Sequence, residues 1–78
     1  MKKLKKNNLD NDIERVTKEI VLNSLSKQFQ SVNNIVFNIK EVKHPIDYYY
    51  VELKLMDLKR EGLAEMEIKD GKKFYKLK

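Results

Sequence analysis

Apolar side chains recur at three- and four-residue intervals through most of this chain and change to alternation only near its C-terminus. In the first periodic stretch, Ile13, Val16, Ile20 and Ser24 share one helical face. Leu22, Leu25 and Phe29 form a second apolar stripe, and together these positions predict a helix over about 12–29. Asp10 or Asp12 supplies its cap, and Glu14 suits the positive end of the helix dipole. The polar segment Gln30-Ser31-Val32-Asn33-Asn34 breaks the pattern. Ile35-Val36-Phe37 is short, apolar and partly β-branched, which predicts a brief strand. Asn38 then caps a short helix over about 39–44, with Ile39 and Val42 inward and His44 at its end. One helix running straight through about 35–43 fits the spacing of 32, 35, 36, 39 and 42 equally well. Pro45 ends either version, because proline pushes the preceding residue out of helical geometry.

The next stretch predicts a longer helix over about 47–61, capped by Asp47 and stopped by Gly62. Val51, Leu55 and Leu58 define its buried stripe, with Tyr48 at the edge. At about 100° per residue, Tyr49, Leu53, Met56 and Arg60 fall on the opposite face. Tyr50 and Asp57 flank that face on one side, and Glu52 on the other. Segments 63–69 and 72–77 then read as two strands joined by Asp70-Gly71, a strong signal for a type I′ turn. The expected architecture is α+β: three helices followed by a two-stranded hairpin. Residues 1–11 read as a flexible basic arm and 12–78 as the folded domain.

Seventy-eight residues allow one domain with a thin core, and 41% hydrophobic against 37% charged residues is enough to fold behind a solvated surface. The chain has no cysteine, which removes disulfides and thiolate metal sites. No apolar run approaches the roughly 18 residues of a membrane span. The basic N-terminus has no apolar stretch behind it, so a signal peptide is not expected and the cytoplasm is the expected compartment. His44 is the single histidine and has no companion ligands beside it. Ser24, Ser26 and Ser31 stand in no nucleophile-elbow pattern, and both glycines are assigned to turns. The expectation is a non-enzyme with no metal and no cofactor.

The net charge is +5, and its placement is uneven. Four lysines lie in the first six residues and five lie between Lys69 and Lys78, so the positive charge sits at the two ends. A basic domain favours polyanionic partners. Tyr48, Tyr49 and Tyr50 are about 100° apart on a helix and cannot form one stacking platform, which makes single-strand binding a minor reading. Of these, Tyr48 is expected to be partly core, and Tyr49 and Tyr50 to point outward. Phe74 and Tyr75 alternate on the last strand, so one is expected to face the core.

Leu55-Met56-Asp57-Leu58-Lys59-Arg60-Glu61-Gly62-Leu63 resembles the end of the recognition helix and start of the wing in winged helix-turn-helix regulators of the ArsR and MarR groups. Phe37-Asn38-Ile39-Lys40-Glu41-Val42 resembles their strand-to-second-helix junction, and Asp70 to Leu77 resembles their wing. The resemblance covers about residues 12–77, with a connection of only His44-Pro45-Ile46 before the third helix. It implies a double-stranded-DNA-binding transcriptional regulator, with the 47–61 helix in the major groove and a wing over 65–77 on the backbone. Tyr49, Tyr50 and Leu53 would then approach base edges. Lys54, Arg60, Lys69, Lys72 and Lys73 would contact phosphates, and Lys2, Lys3, Lys5 and Lys6 would form an arm along the backbone. Two-fold operators favour a homodimer, for which Leu22, Leu25 and Phe29 are the candidate seam. The alternative is a protein-interaction module whose contact surface is the Tyr49, Leu53 and Met56 stripe.

Overall fold

A computed structural model describes residues 15–78 of the chain. The expected basic arm, and the caps at Asp10 and Asp12, lie outside these residues. The described part begins with Thr17, whose Oγ1 accepts the Ile20 N–H at 3.2 Å and caps helix α1, Lys18–Asn23. The 12–29 expectation is therefore corrected at its C-terminal side, where the helix stops six residues early. Serine chemistry explains the stop. Ser24 donates its hydroxyl to the Val21 carbonyl at 2.6 Å, and Ser26 Oγ accepts from the Gln28 N–H and the Gln30 side chain. These short polar side chains bond local backbone groups in competition with helix propagation.

The first strand, β1, is Gln30–Ser31, and helix α2, Val32–Phe37, follows it directly. This reverses the expectation for 35–37, which is helical rather than extended. Ser31 decides the matter by accepting the Asn34 N–H at 3.1 Å as the cap of α2. The continuous alternative over 35–43 and the short helix over 39–44 are corrected as well. Helix α2 starts at Val32 and ends at the Asn38 cap, and the following segment carries turn hydrogen bonds from Ile39 to Val36 and from Val42 to Ile39.

Helix α3, Pro45–Arg60, is the longest described element. Pro45 opens it instead of terminating the previous one, which suits a residue with preset φ and no N–H to leave unpaired. His44 is accordingly the residue before the helix, not the end of α2, and Asp47 lies in the first turn rather than at the cap. The C-terminal end matches the sequence expectation. Gly62 sits at φ +80°, the Leu63 N–H reaches the Leu58 carbonyl at 2.9 Å, and the Gly62 N–H reaches Lys59 at 3.1 Å. That is a Schellman closure.

Strands β2, Ala64–Lys69, and β3, Lys72–Leu77, form the expected hairpin, with Asp70 at φ +53° and Gly71 at φ +78° in its turn. In the antiparallel sheet β3 is central, in the order β1-β3-β2. Ser31 pairs with Phe74, and Met66 pairs with Tyr75. The described residues thus form a small α+β domain of three helices and one three-stranded antiparallel sheet. Its core joins Val16 and Val21, Ile35 and Ile39, Val51, Leu55 and Leu58, and Ala64 and Tyr75.

One polar group lies within this interior. The Asp47 side chain is fully buried. It accepts the backbone N–H of Lys43 at 2.7 Å and of His44 at 2.9 Å, and Arg15 donates to both its oxygens at 3.1 and 3.0 Å. Burial pushes this carboxyl upward, but the two backbone donors and the guanidinium outweigh it and hold the group below its ordinary value. Its stabilisation is therefore complete above the unfolded-state value near 3.8 and is lost as pH falls below that. Asp47→Asn should lower unfolding stability by roughly 3 kcal/mol at neutral pH. Urea titrations at several pH values should also show a shallower stability loss below pH 4 in Asp47→Asn than in the parent, and equal slopes would contradict this assignment.

Candidate nucleic-acid interface

Helix α3 buries Asp47, Val51, Leu55 and Leu58, as the spacing of its apolar residues requires. Its opposite face carries Tyr49, Leu53, Met56 and Arg60, of which Leu53 is half-buried and the others are exposed. Tyr48 is half-buried at the edge of the core, and its hydroxyl donates to Asn33 Oδ1 at 2.7 Å, tying α3 to α2. Tyr50 corrects an expectation. It is half-buried against the core, not presented outward, because its position turns it back toward the packed side of the helix. Its ring meets Tyr49 edge-on at 5.8 Å between centroids, and Lys54 Nζ lies 5.9 Å from its centre. Tyr50 and Lys54 therefore form one flank of α3, and Arg60 is paired with Asp57 at 2.8 Å.

The other flank faces the hairpin. Met56, Lys59 and Arg60 of α3 stand across a groove of about 300 Å3 from Met66, Lys73 and Tyr75. Nearer the turn, Tyr48 and Glu52 share a second hollow with Lys72 and Lys73. Strand alternation accounts for the hairpin side. Met66 and Tyr75 are register partners, as are Ile68 and Lys73, so these four residues share the face turned toward α3. Tyr75 is buried there, and Phe74 on the opposite face is half-buried, as the alternation implies. Burial, with a smaller contribution from Glu52, pushes the Tyr75 hydroxyl upward, so it stays a protonated donor at neutral pH.

Several described cations are paired and others are not; Lys27, Lys40, Lys43 and Lys78, away from this face, form no ion pair with a described residue. Arg15 is engaged by Asp47, Lys18 by Glu61 and Lys76 by Glu65. Lys59, Lys69, Lys72 and Lys73 form no ion pair with a described residue. Lys69 and Lys72 stand directly opposite each other across the turn, a like-charge placement that costs stability unless an anion relieves it. Of the residues singled out from sequence, the structure brings Tyr49, Leu53 and Arg60 together on one helix face. It places Lys72 and Lys73 on hollows shared with α3, Lys69 on the sheet face that carries Phe74, and Tyr50 and Lys54 on the far flank. Lys2, Lys3, Lys5 and Lys6 lie outside the described residues.

Two residues of this face escaped the sequence reading. Lys59 lies three positions after Met56 and so shares its flank, and Met66 follows from pairing with Tyr75. The three residues considered for a seam do not form one helical stripe. Leu22 alone is in α1, Leu25 is core, and Phe29 lies in the following loop, with Lys76 Nζ 5.1 Å from its ring centre. A separate shallow groove at the open end of the hairpin is lined by Leu22, Leu25, Leu63 and Leu77. Among the described residues, no group of three or more His, Cys, Asp or Glu is placed to hold a metal ion, and no helix is long and apolar enough to cross a membrane.

Comparison with protein-family models, with curated proteins and with solved structures finds no match to this chain. The geometry stands alone.

The positive backbone angle at Gly71 holds the two hairpin lysines in register. A Cβ added there meets nothing within 4 Å, so Gly71→Ala tests backbone conformation without a steric clash. Thermal unfolding of this variant should show a loss of about 1 kcal/mol, and no loss would mean that the turn relaxes without cost.

Proposed function

We propose that this domain is a winged helix-turn-helix that binds double-stranded DNA and serves in transcriptional regulation, with α3 in the major groove and the β2–β3 hairpin as its wing on the backbone. The order α1-β1-α2-α3-β2-β3, with β3 between β1 and β2, is the arrangement such a domain needs. It sets a solvent-facing helix beside a two-stranded ribbon, and a B-DNA major groove admits one α-helix. The observation that carries the reading is the group of lysines at the end of α3 and the hairpin tip, Lys59, Lys69, Lys72 and Lys73, none of which forms an ion pair with a described residue. Phosphates are the ligand that relieves such a cluster, and each one neutralised releases condensed counterions.

In this arrangement Lys72 and Lys73 reach phosphates from the hairpin while Lys59 and Arg60 do so from the end of α3. Tyr49 and Leu53 face the bases. Tyr50 and Lys54, on the flank away from the hairpin, serve the backbone on the other side of the groove. A second reading rests on the exposure of Tyr49 (54%) and Met56 (44%), which also suits contact with a protein. Salt separates the two, since an apolar protein contact responds weakly to ionic strength and phosphate contact responds steeply.

Fluorescence anisotropy with a mixed-sequence duplex should show affinity falling as salt rises. Lys72→Glu with Lys73→Glu should weaken binding to all duplexes and lower the magnitude of the salt slope by about 2, at roughly 0.9 per phosphate contact. Unchanged binding in the double variant, or none by the parent at low salt, would overturn the reading.

A further inference from the structure

The half of α3 that would enter the groove first has an unusual chemical inventory. Positions 45–53 contain no Arg, Lys, Asn or Gln, the side chains that hydrogen-bond guanine or adenine edges bidentately. Two of the polar groups that are present are engaged within the protein. The Asp47 carboxylate is buried against Arg15 and two backbone N–H groups, and the Tyr48 hydroxyl is bonded to Asn33. Glu52 stands in the hollow with Lys72 and Lys73, on the hairpin side. Exposed Glu52 aside, the stripe this half turns away from the hairpin is apolar or aromatic: Ile46 is 42% exposed, Tyr49 is exposed, and half-buried Leu53 continues it.

The major groove presents one apolar group, the C5-methyl of thymine. We infer that the outward face of α3, Ile46, Tyr49 and Leu53, recognises thymine methyl groups, so that the ligand of this domain is A·T-rich duplex DNA. The inference rests on the duplex-binding reading and names its substrate class. The hairpin favours the same sequences. Its unpaired Lys69 and Lys72 stand at the tip of a narrow ribbon, and the narrow minor groove of A-tracts has an enhanced negative potential that draws inserted cations. An apolar stripe beside a hairpin tipped by Lys69 and Lys72 thus suits a methyl-lined groove bordered by phosphates. A G·C-rich groove presents a comparable number of polar groups but no methyl, so the stripe gains no apolar contact there.

Three duplexes of equal length, bound to the full chain at one low salt concentration, test this. The first is A·T-rich, the second is the same sequence with every thymine replaced by deoxyuridine, and the third is G·C-rich. The deoxyuridine duplex keeps every hydrogen-bonding group of the first and lacks only the methyls. Affinity for the thymine duplex should exceed that for deoxyuridine by about four-fold for each methyl contacted. Tyr49→Ala and Leu53→Ala should each shrink that ratio, with folding checked by circular dichroism. Exposed Tyr49 serves as the arm least tied to the core.

Equal affinity for the thymine and deoxyuridine duplexes, or a preference for the G·C-rich one, overturns the methyl assignment and leaves duplex binding standing. Binding to none of them overturns both. Sedimentation in which Leu53→Asp dissolves a parent oligomer, with no duplex bound, assigns the stripe to protein contact and likewise overturns both.

Discussion

A carboxylate enclosed among apolar side chains sets the geometry on which every other feature depends. Asp47 gains burial in the first turn of α3 because its charge is met on three sides: two backbone N–H groups from the approaching loop and the Nη1 of Arg15, which reaches both carboxylate oxygens. An isolated buried charge would cost several kcal/mol, so this position is tenable only while all three partners hold. The interaction consequently does three jobs. It orients the loop before α3, anchors the segment before α1 to a residue 32 positions away, and sets the rotation of α3 about its axis.

Once that rotation is set, the remaining faces of the helix have defined neighbours. Val51, Leu55 and Leu58 fill the core, while Met56 and Lys59 look across a groove toward the hairpin. Tyr49 and Leu53 are left as the outward stripe. The hairpin contributes its own constraint, because a type I′ turn with no spare residue forces Lys69 and Lys72 to face each other. A small domain tolerates this repulsion at some loss of stability, and the loss becomes useful when a polyanion is the partner. The hairpin tip thus gathers lysines beside α3, while the groove at the opposite end of the hairpin is lined by leucines together with Lys27 and Lys78.

The parts of this fold legible in the sequence were those written in strong local signals. Helix α3 declared itself through Val51, Leu55 and Leu58 and the Gly62 stop, and the hairpin through Asp70-Gly71 and strand alternation. The first half of the chain was harder, because single hydroxyls settled its boundaries. Thr17, Ser24 and Ser31 each make a local bond that ends or begins a helix, and apolar periodicity carries no trace of that choice. Asp47 looked like a cap because its partner Arg15 is far away in sequence, and a local pattern cannot see an ion pair of that range. Lys59 was overlooked because its significance lies in what stands across from it, which only strand pairing supplies.

The central claim is that the outward face of α3 and the hairpin tip act as one surface toward duplex DNA. A backbone amide chemical-shift titration of the isotope-labelled full chain with a duplex addresses it most directly. The account predicts that the largest changes fall on Tyr49, Leu53, Met56 and Lys59 together with Lys69, Lys72 and Lys73, and that Leu22, Leu63 and Leu77 stay nearly still. Changes centred on Leu22, Leu63 and Leu77, or spectra that do not respond to a duplex at low salt, would contradict it.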